Sequence, residues 1–226
     1  MKIAVTLLIL FSFSGIRSQV KQDNPFFFKE SDTEVKVGGI QLTTLGTYYY
    51  DNNWNAGNIY FNNGEVIRGY YMKYDLVRSY LEVIIDRDIV GFSKDQVKSF
   101  EWFSAKTLKS VKFINRKELG FETDIPHFLE IISDGDVMLL KSKNVVAVSK
   151  GSAPTLVNDT TDDTQVFEEN YLVIDGIVES VVNGRRKNLK LFNSKPLEEF
   201  VRNQSLNFNN SEDLKTIIDY YNSIGQ

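Results

Sequence analysis

Residues 57–85 read GNIYFNNGEVIRGYYMKYDLVRSYLEVII, with apolar segments on both sides of Asn63-Gly64. Asn-Gly is favoured in two-residue hairpin turns because both central positions need a positive φ angle. Further along, Tyr70, Met72 and Tyr74 alternate with Tyr71, Lys73 and Asp75. A period of two is typical of half-buried antiparallel strands. The stretch therefore predicts an antiparallel β-meander, with Gly69 marking either a bulge or a close approach of the backbone.

Short apolar segments continue this pattern through most of the chain. Asp134-Gly135 predicts a second hairpin turn, and residues 151–166 are rich in turn-forming side chains and predict a long exposed loop. Asp175-Gly176 and Asn183-Gly184 predict two more turns. The predicted strands are a pair over Val35–Leu45 (bent at Gly38-Gly39), Ile89–Phe92, Val97–Phe103, Val111–Ile114, Phe128–Ser133, Val137–Ser142 and Tyr171–Ile174. Val145–Val148 either extends Val137–Ser142 or forms another strand.

The period changes to that of a helix near residue 194. Ser194 and Pro196 are residues that commonly begin helices. A last helix opens at Asn209–Ser211, where Asn209 can cap it and Glu212 stands in capping-box register. Its apolar stripe, which we expect to dock on the open face of the sheet, consists of Leu214, Ile217, Ile218 and Tyr221.

These patterns together predict a mainly β (α+β) protein. We expect a curved antiparallel β-meander, or a partly closed barrel, with a C-terminal helix pair. The predicted organisation is a signal peptide over residues 1–18, an antiparallel β domain over 19–193, and a helical segment over 194–226 packed on the same domain. No Pro-, Gly- or Ser-rich linker divides the chain into two compact domains.

The N-terminus has the layout of a secretory signal peptide. Lys2 precedes an apolar run from Ile3 to Phe13, and small residues lead to a plausible cleavage site after Ser18. An uncleaved membrane anchor is the alternative, but the run is too short to cross a bilayer core of about 30 Å. The chain contains no cysteine, so no disulfide stabilises it, and bacterial export is favoured. We expect the periplasm, the outer-membrane surface or the medium.

The charge of the chain argues against nucleic acid as a partner. Removal of Lys2 and Arg17 with the signal peptide leaves 24 Lys and Arg against 30 Asp and Glu. Nucleic-acid-binding proteins need a basic face to meet the phosphates. A modest acidic surplus is instead consistent with a soluble surface.

The residues that catalyse hydrolysis through a nucleophile are missing. His127 is the only histidine, and neither a Gly-x-Ser-x-Gly motif nor a cysteine is present. We therefore interpret His127 as a structural residue beside a strand, and we expect zinc to be excluded. Acidic pairs such as Asp134 with Asp136, or Glu82 with Asp86, could serve a carboxylate-based hydrolase only if they face each other across a cleft.

One loop could offer oxygen ligands to calcium. Asn158, Asp159, Asp162 and Asp163 lie close together in sequence, and calcium prefers oxygen ligands. Their spacing does not match the EF-hand pattern, so a solvated acidic loop is the preferred interpretation. We expect no cofactor and no metal site.

Aromatic residues are concentrated in the predicted meander. Tyrosine favours strands by propensity, so these residues could simply form the core. They could also form an aromatic surface, because tyrosine combines an apolar ring with a polar tip. The candidate ligand-binding residues are Trp54, Tyr60, Tyr70, Tyr71 and Tyr74.

Several motifs suggest a relationship. They are Tyr48, Gly57, Tyr60, Gly64, Gly69, Met72-Lys73-Tyr74-Asp75, Leu81-Glu82-Val83, Gly120-Phe121, Leu139-Leu140-Lys141 and Asp219-Tyr220-Tyr221-Asn222. With these motifs the chain resembles a group of uncharacterised exported β-rich proteins common in Bacteroidetes, which tend to carry Leu-Arg-Tyr-Asn at residues 72–75. The resemblance implies an exported bacterial protein and assigns no catalytic residue.

Two functions are consistent with the sequence. The first is a non-enzymatic binding or structural protein of the cell envelope that uses its aromatic face for a lipid, a glycan or a partner protein. The second is a carboxylate-based periplasmic hydrolase, which would need two acids facing each other in a cleft. The missing catalytic set favours the first.

Overall fold

The computed structural model describes residues 28–29, 48–121, 125–148 and 163–225. Its strands are β1 (Phe28–Lys29), β2 (Asn55–Phe61), β3 (Val66–Asp75), β4 (Tyr80–Ile85), β5 (Asp88–Ser93), β6 (Val97–Ser104), β7 (Lys109–Asn115), β8 (Phe128–Ser133), β9 (Val137–Val148), β10 (Asp163–Ile174) and β11 (Ile177–Ser180). Its α-helices are α1 (Arg185–Phe192), α2 (Lys195–Asn203) and α3 (Ser211–Ile224). The expected signal peptide and strand pair Val35–Leu45 lie outside the described residues.

The described strands form one antiparallel sheet, which confirms the predicted fold class. Their order is β1-β5-β4-β3-β2-β6-β7-β8-β9-β10-β11. Two meanders, β2–β5 and β6–β11, are joined where β2 pairs with β6. Among the described strands this order has a free edge at each end, so the sheet is not closed into a barrel.

A short connection forces the sheet to curl. Residues 94–96 join β5 to β6, although β4, β3 and β2 lie between these strands. In a flat sheet those strands would be about 19 Å apart, whereas four residue steps span at most about 14 Å. The rings of Phe61 in β2 and Phe92 in β5 accordingly lie 4.9 Å apart. We call the inner side of this curl the concave face and the outer side the convex face.

Aromatic rings fill the concave face. The centroids of Tyr74 in β3 and Phe128 in β8 are 5.4 Å apart, although three strands separate β3 from β8 in the sheet. Phe100 and Phe113 stack between them at 4.5 Å. Offset and edge-on ring pairs add to the stabilisation from burial alone, so this cluster holds the first half of the sheet together.

The turns in the two meanders follow the predicted signals. Asn63-Gly64 lies between β2 and β3 as predicted, but the connection comprises residues 62–65 and is not a two-residue turn. Only Gly64 of the pair has a positive φ angle, 87°. The register of β2 against β3 shifts so that Gly69 is the extra residue, with a φ angle of 75°, which confirms the predicted bulge. Asp134-Gly135 lies between β8 and β9, and Asp175-Gly176 lies between β10 and β11.

The helical region differs from the prediction in two respects. Ser194 caps α2 as expected, but the cap of α3 is Asn210 rather than Asn209, since the Asn210 side chain accepts from the backbone N–H of Glu212 and Asp213. Helix α1, for which the sequence predicted only a turn at its start, opens at Gly184 without a side-chain cap. Its buried Asn188 hydrogen-bonds the backbone N–H and C=O of Val182, which ties α1 to the end of the sheet.

The helices cover the concave side of β8–β10. Leu139 of β9 and Leu172 of β10 pack with the buried stripe of α3, Leu214, Ile217 and Ile218. The predicted stripe is therefore confirmed in these residues. The Asn222 side chain pairs with both backbone groups of Val137, so α3 is also hydrogen-bonded to the start of β9.

The second meander contains more strand than the sequence predicted. Val145–Val148 continues β9, which was one of the expected arrangements, but Asp163 to Val166 belong to β10 and not to the predicted loop. These residues pair with the end of β9 in an unbroken ladder from Asp163↔Val148 to Ile174↔Val137. A partner strand therefore overrides their turn-forming composition.

Gly57 should be indispensable at the junction of the two meanders. A Cβ atom there would lie 2.0 Å from the backbone oxygen of Glu101 and 2.7 Å from the Cα of Trp102. We expect Gly57→Ala to destabilise the protein by about 3 kcal/mol, because backbone atoms cannot move aside as side chains do. Urea unfolding measures this.

Gly91→Ala is the matched control, because its Cβ would meet only a side-chain atom of Tyr80 at 3.7 Å. We expect its free energy of unfolding to stay within about 1 kcal/mol of the parent. Equal stability of the two variants would contradict the proposed close approach of β2 and β6.

Candidate functional site

Three of the five candidate aromatic residues share the convex face. Tyr71 alternates with the buried Met72 and is 55% exposed. Tyr60 alternates with the buried Ile59 and is half-buried. Trp54 lies just before β2 on the same side, where its ring contacts the Lys73 side chain. Because side chains alternate along a strand, these three point away from the ring core.

The other two candidates lie on the concave face, so the five residues do not form one surface. Tyr74 is only 1% exposed and is surrounded by rings of the core. Tyr70 lies four residues before Tyr74 in β3 and so faces the same side, where it packs half-buried against that core. A strand of period two cannot present Tyr70, Tyr71 and Tyr74 on one face. We therefore assign Tyr70 and Tyr74 to the core.

Apolar side chains run across the convex face at the level of Tyr71. Ile84 pairs with Ile89, and Ala56 pairs with Tyr71. Extended by one residue pair, the registers of β3 with β4 and of β2 with β6 place Tyr71 beside Ile84, and Ala56 beside Phe103. Phe103 is 53% exposed. We call this line of residues across β5, β4, β3, β2 and β6 the apolar row: Ile89, Ile84, Tyr71, Ala56 and Phe103.

A charged cluster lies on one side of the apolar row. The Nζ atom of Lys73 lies 4.7 Å from the ring centroid of Tyr49 and 5.0 Å from that of Trp54. Such cation–π contacts are favourable by about 0.5 kcal/mol or more. Tyr49 donates its hydroxyl to Glu82, which pairs with Lys73 across the strands. Burial and the Glu82 carboxylate raise the pKa of Tyr49 above its ordinary value.

A second polar cluster lies on the other side of the apolar row. Tyr60 donates its hydroxyl to Glu101 at 3.0 Å, and the Asn58 amide donates to the same oxygen at 2.9 Å. The hydrogen bond to Glu101 raises the pKa of Tyr60. The Asn58 side chain also accepts from the backbone N–H of Gly69, so this cluster braces the bulge in β3.

The arrangement favours association through apolar contact. The flanking tyrosine hydroxyls are engaged with carboxylates of the same face, whereas Tyr71 and Phe103 are more than half exposed. Burying apolar surface is worth about 25 cal/mol per Å². The exposed apolar side chains of the row would therefore gain free energy from contact with a partner.

The sequence interpretation missed several members of this face. Phe103 belongs to a predicted strand. Because neighbouring residues of a strand face opposite sides, it must face outward if Trp102 faces the core. Ile84 and Ile89 face the same side, but only the pairing of β4 with β5 brings them into line with Tyr71. Tyr49 is not among the candidate residues, because its bridge to Asp75 lies outside any predicted strand.

The concave face carries a separate polar cluster between the ring core and the helices. Tyr50 hydrogen-bonds Glu130, whose Oε2 also lies 2.8 Å from Nζ of Lys141. Nζ of Lys143 lies 4.3 Å from the ring centroid of Tyr50 and 3.2 Å from Glu168. Burial and the Glu130 charge raise the pKa of Tyr50. The cluster neutralises its own charges, which is typical of a structural network.

The acidic pairs considered for hydrolysis occupy turns and paired positions. Asp134 and Asp136 are exposed at the turn between β8 and β9. Glu82 is buried and holds the Tyr49 hydroxyl, and Asp86 is exposed in the turn after β4. Three of these acids are exposed in turns and the fourth holds a tyrosine hydroxyl, so the hydrolase hypothesis gains no support from them.

His127 lies in a basic environment at the start of β8. Its Nε2 is 2.9 Å from Nζ of Lys94, and its Nδ1 is buried without a hydrogen-bond partner among the described residues. Burial, with the nearby charges of Lys94 and Arg116, lowers the pKa of His127 to about 4. The ring is therefore neutral near pH 7 and accepts a hydrogen bond from Lys94.

Comparisons with known proteins leave the family open. No protein-family model, curated protein or solved structure matches the chain.

Within the described ranges, no group of three His, Asp or Glu side chains could hold a metal ion. The acidic loop that could offer ligands to calcium lies outside the described residues, except for Asp163, which begins β10. No helix in the described part of the chain is long and apolar enough to span a membrane.

His127 should make stability depend on pH. Its pKa in the folded chain is about 4, below the value of about 6.5 expected after unfolding. The unfolded chain thus binds more protons between these values, and stability falls as pH drops from about 6.5 to 4. His127→Gln should lose less stability over this window, by about 1 kcal/mol after allowance for partial solvation. Urea unfolding across pH tests this, and parallel curves would contradict it.

Proposed function

We propose that this protein is an exported, non-enzymatic protein of the cell envelope that binds another protein through the apolar row. The observation that carries the proposal is the exposure of Tyr71 and Phe103 in one line with Ile84 and Ile89, on a sheet whose other face is packed. Aromatic side chains are enriched at protein interfaces, where a few of them provide most of the binding energy.

A protein partner fits the convex face better than a glycan or a lipid. Sugar hydroxyls need free hydrogen-bonding groups, but Tyr49 and Tyr60 already donate to Glu82 and Glu101. A bilayer surface with anionic lipids favours one sign of charge, whereas Lys73 and Glu101 flank the row with both signs. The row crosses five strands, and its side chains could form the apolar centre of an interface of about 800 Å² per partner.

Export is supported by the sequence of the N-terminus and by the lack of cysteine. The resemblance to exported β-rich proteins of Bacteroidetes supports the same proposal. A carboxylate-based hydrolase is the alternative function, and no observed pair of acids favours it. The missing nucleophile and metal-ligand patterns in the sequence support the non-enzymatic assignment.

Site-specific photo-crosslinking tests the binding surface in the native host. We expect a photo-reactive phenylalanine analogue at Tyr71 or at Phe103 to crosslink one discrete envelope protein, because both side chains project from the apolar row. The control position is Ile224, which is 39% exposed at the end of α3, on the other side of the sheet. Mass spectrometry identifies the product.

The same partner should be lost when the row is made polar. We expect Tyr71→Ser together with Phe103→Ser to reduce capture of that protein by at least about tenfold, the scale of losing two interface anchors. Crosslinking only to lipid or glycan, or equal crosslinking from Ile224, would overturn the protein-partner proposal.

The mature N-terminus is a separate prediction. We expect intact-mass analysis of protein from the envelope or medium to give a chain beginning at Gln19, because signal peptidase cuts after small residues. Leu8→Arg places a charge in the apolar run and should leave the precursor uncut in the cytoplasm. An uncut precursor in the parent envelope fraction would contradict the predicted cleavage.

A further inference from the structure

Strand β10 has an open backbone edge. It pairs with β9 along its whole length, from Asp163 to Ile174. On its other side, β11 covers only Tyr171 to Ile174. Among the described strands, none pairs with that side of residues 163–169. The ends of β9 and β10 thus form a two-stranded arm, which we define as residues 142–148 and 163–169.

The direction of the free backbone groups can be derived from one hydrogen bond. The carbonyl of Asn170 accepts from the backbone N–H of Val181, on the β11 side. In an antiparallel strand, N–H and C=O of one residue point to the same side, and alternate residues share that side. The ladder with β9 has no register shift, so the backbone groups of Thr164, Val166 and Glu168 point outward from the open edge.

The side chains along this edge are apolar and acidic. Residues 165–169 are all exposed, with Val166 at 44% and Phe167 at 45%. Glu168 and Glu169 follow directly, and residues 165–169 contain no basic side chain. Glu168 lies 3.2 Å from Lys143 but stays half exposed, and Glu169 accepts the Tyr171 hydroxyl. The edge therefore offers backbone hydrogen bonds, two apolar contacts and two partly solvated carboxylates.

From these observations we infer that the open edge of β10 binds an extended, basic segment of a partner protein by strand addition. Backbone hydrogen bonds to Val166 and Glu168 supply the affinity, as in other complexes where a peptide extends a sheet. Lysine or arginine opposite Glu168 and Glu169, followed by apolar residues opposite Phe167 and Val166, supply the specificity. This surface is independent of the apolar row and of the function proposed for it.

The edge chemistry favours a basic partner over a second copy of this chain. A second copy pairing through the same strand would bring its own Glu168 and Glu169 to an edge that already carries these acids. Like charges close together across strands are destabilising. Charged side chains on an edge strand act against pairing with a strand of like charge, so Glu168 and Glu169 disfavour a second copy and leave the edge available to a basic strand.

The test uses the full mature chain and two synthetic peptides. An antiparallel partner of Val166-Phe167-Glu168-Glu169 has the order Lys-Lys-Val-Val, so the probe is acetyl-Ser-Thr-Lys-Lys-Val-Val-Thr-Ser-amide. The control peptide replaces both lysines by glutamate. We expect the basic peptide to bind at least about tenfold more tightly, the effect of two favourable charge pairs.

Amide hydrogen exchange gives the position of binding. The basic peptide should slow exchange of the Val166 and Glu168 amides, while those of Gln165 and Phe167, which face β9, change little. Val166→Pro removes one outward donor without touching the β9 ladder and should abolish binding. Val166→Ala keeps the amide and should bind within about threefold of the parent, since only part of one side-chain contact is lost.

A charge exchange keeps the test decisive if the proline variant fails to fold. Glu168→Lys with Glu169→Lys should reverse the preference, so that the acidic peptide binds more tightly. Equal binding of the two peptides, no slowing of exchange at millimolar peptide, or slowing caused by dimerisation of the chain alone would each overturn the inference.

Discussion

The three-residue connection between β5 and β6 governs the shape of this protein. Because these strands lie four positions apart in the sheet but only residues 94–96 join them, the first half of the sheet must curl. The curl brings rings from distant strands into contact, as with Tyr74 and Phe128. Gly57 permits the close approach of β2 and β6 at the point where the two meanders meet.

The curl also determines which face of each strand in the first half of the sheet is buried. Side chains on the concave face, such as Tyr70 and Tyr74, become core. The convex face of β2–β6 keeps exposed residues such as Tyr71 and Phe103, and polar groups beside them pair with one another, as Tyr60 does with Glu101. What remains available on that face is apolar surface. This balance is consistent with the proposed protein partner, since carboxylates such as Glu82 and Glu101 accept hydrogen bonds from residues of the same face.

The second half of the sheet is stabilised in a different way. Its concave side is covered by helices, and α3 is hydrogen-bonded to β9 through Asn222. Beyond this support β9 and β10 continue as a two-stranded arm with exposed side chains such as Phe167. An isolated two-stranded ribbon is marginal in water. The apolar row can offer side chains to a partner, whereas the arm can offer backbone groups, so the two surfaces suit different kinds of partner.

The sequence by itself determined the features that depend on neighbouring residues. These are the alternating strands, the turn at Asn63-Gly64, the bulge at Gly69 and the cap at Ser194, because each is encoded in a few adjacent side chains. Only the tertiary structure decided that β2 pairs with β6, that Tyr74 is core while Tyr71 is surface, and that α1 forms around Asn188. A period of two defines two faces of a strand, but which face is buried depends on strands distant in sequence.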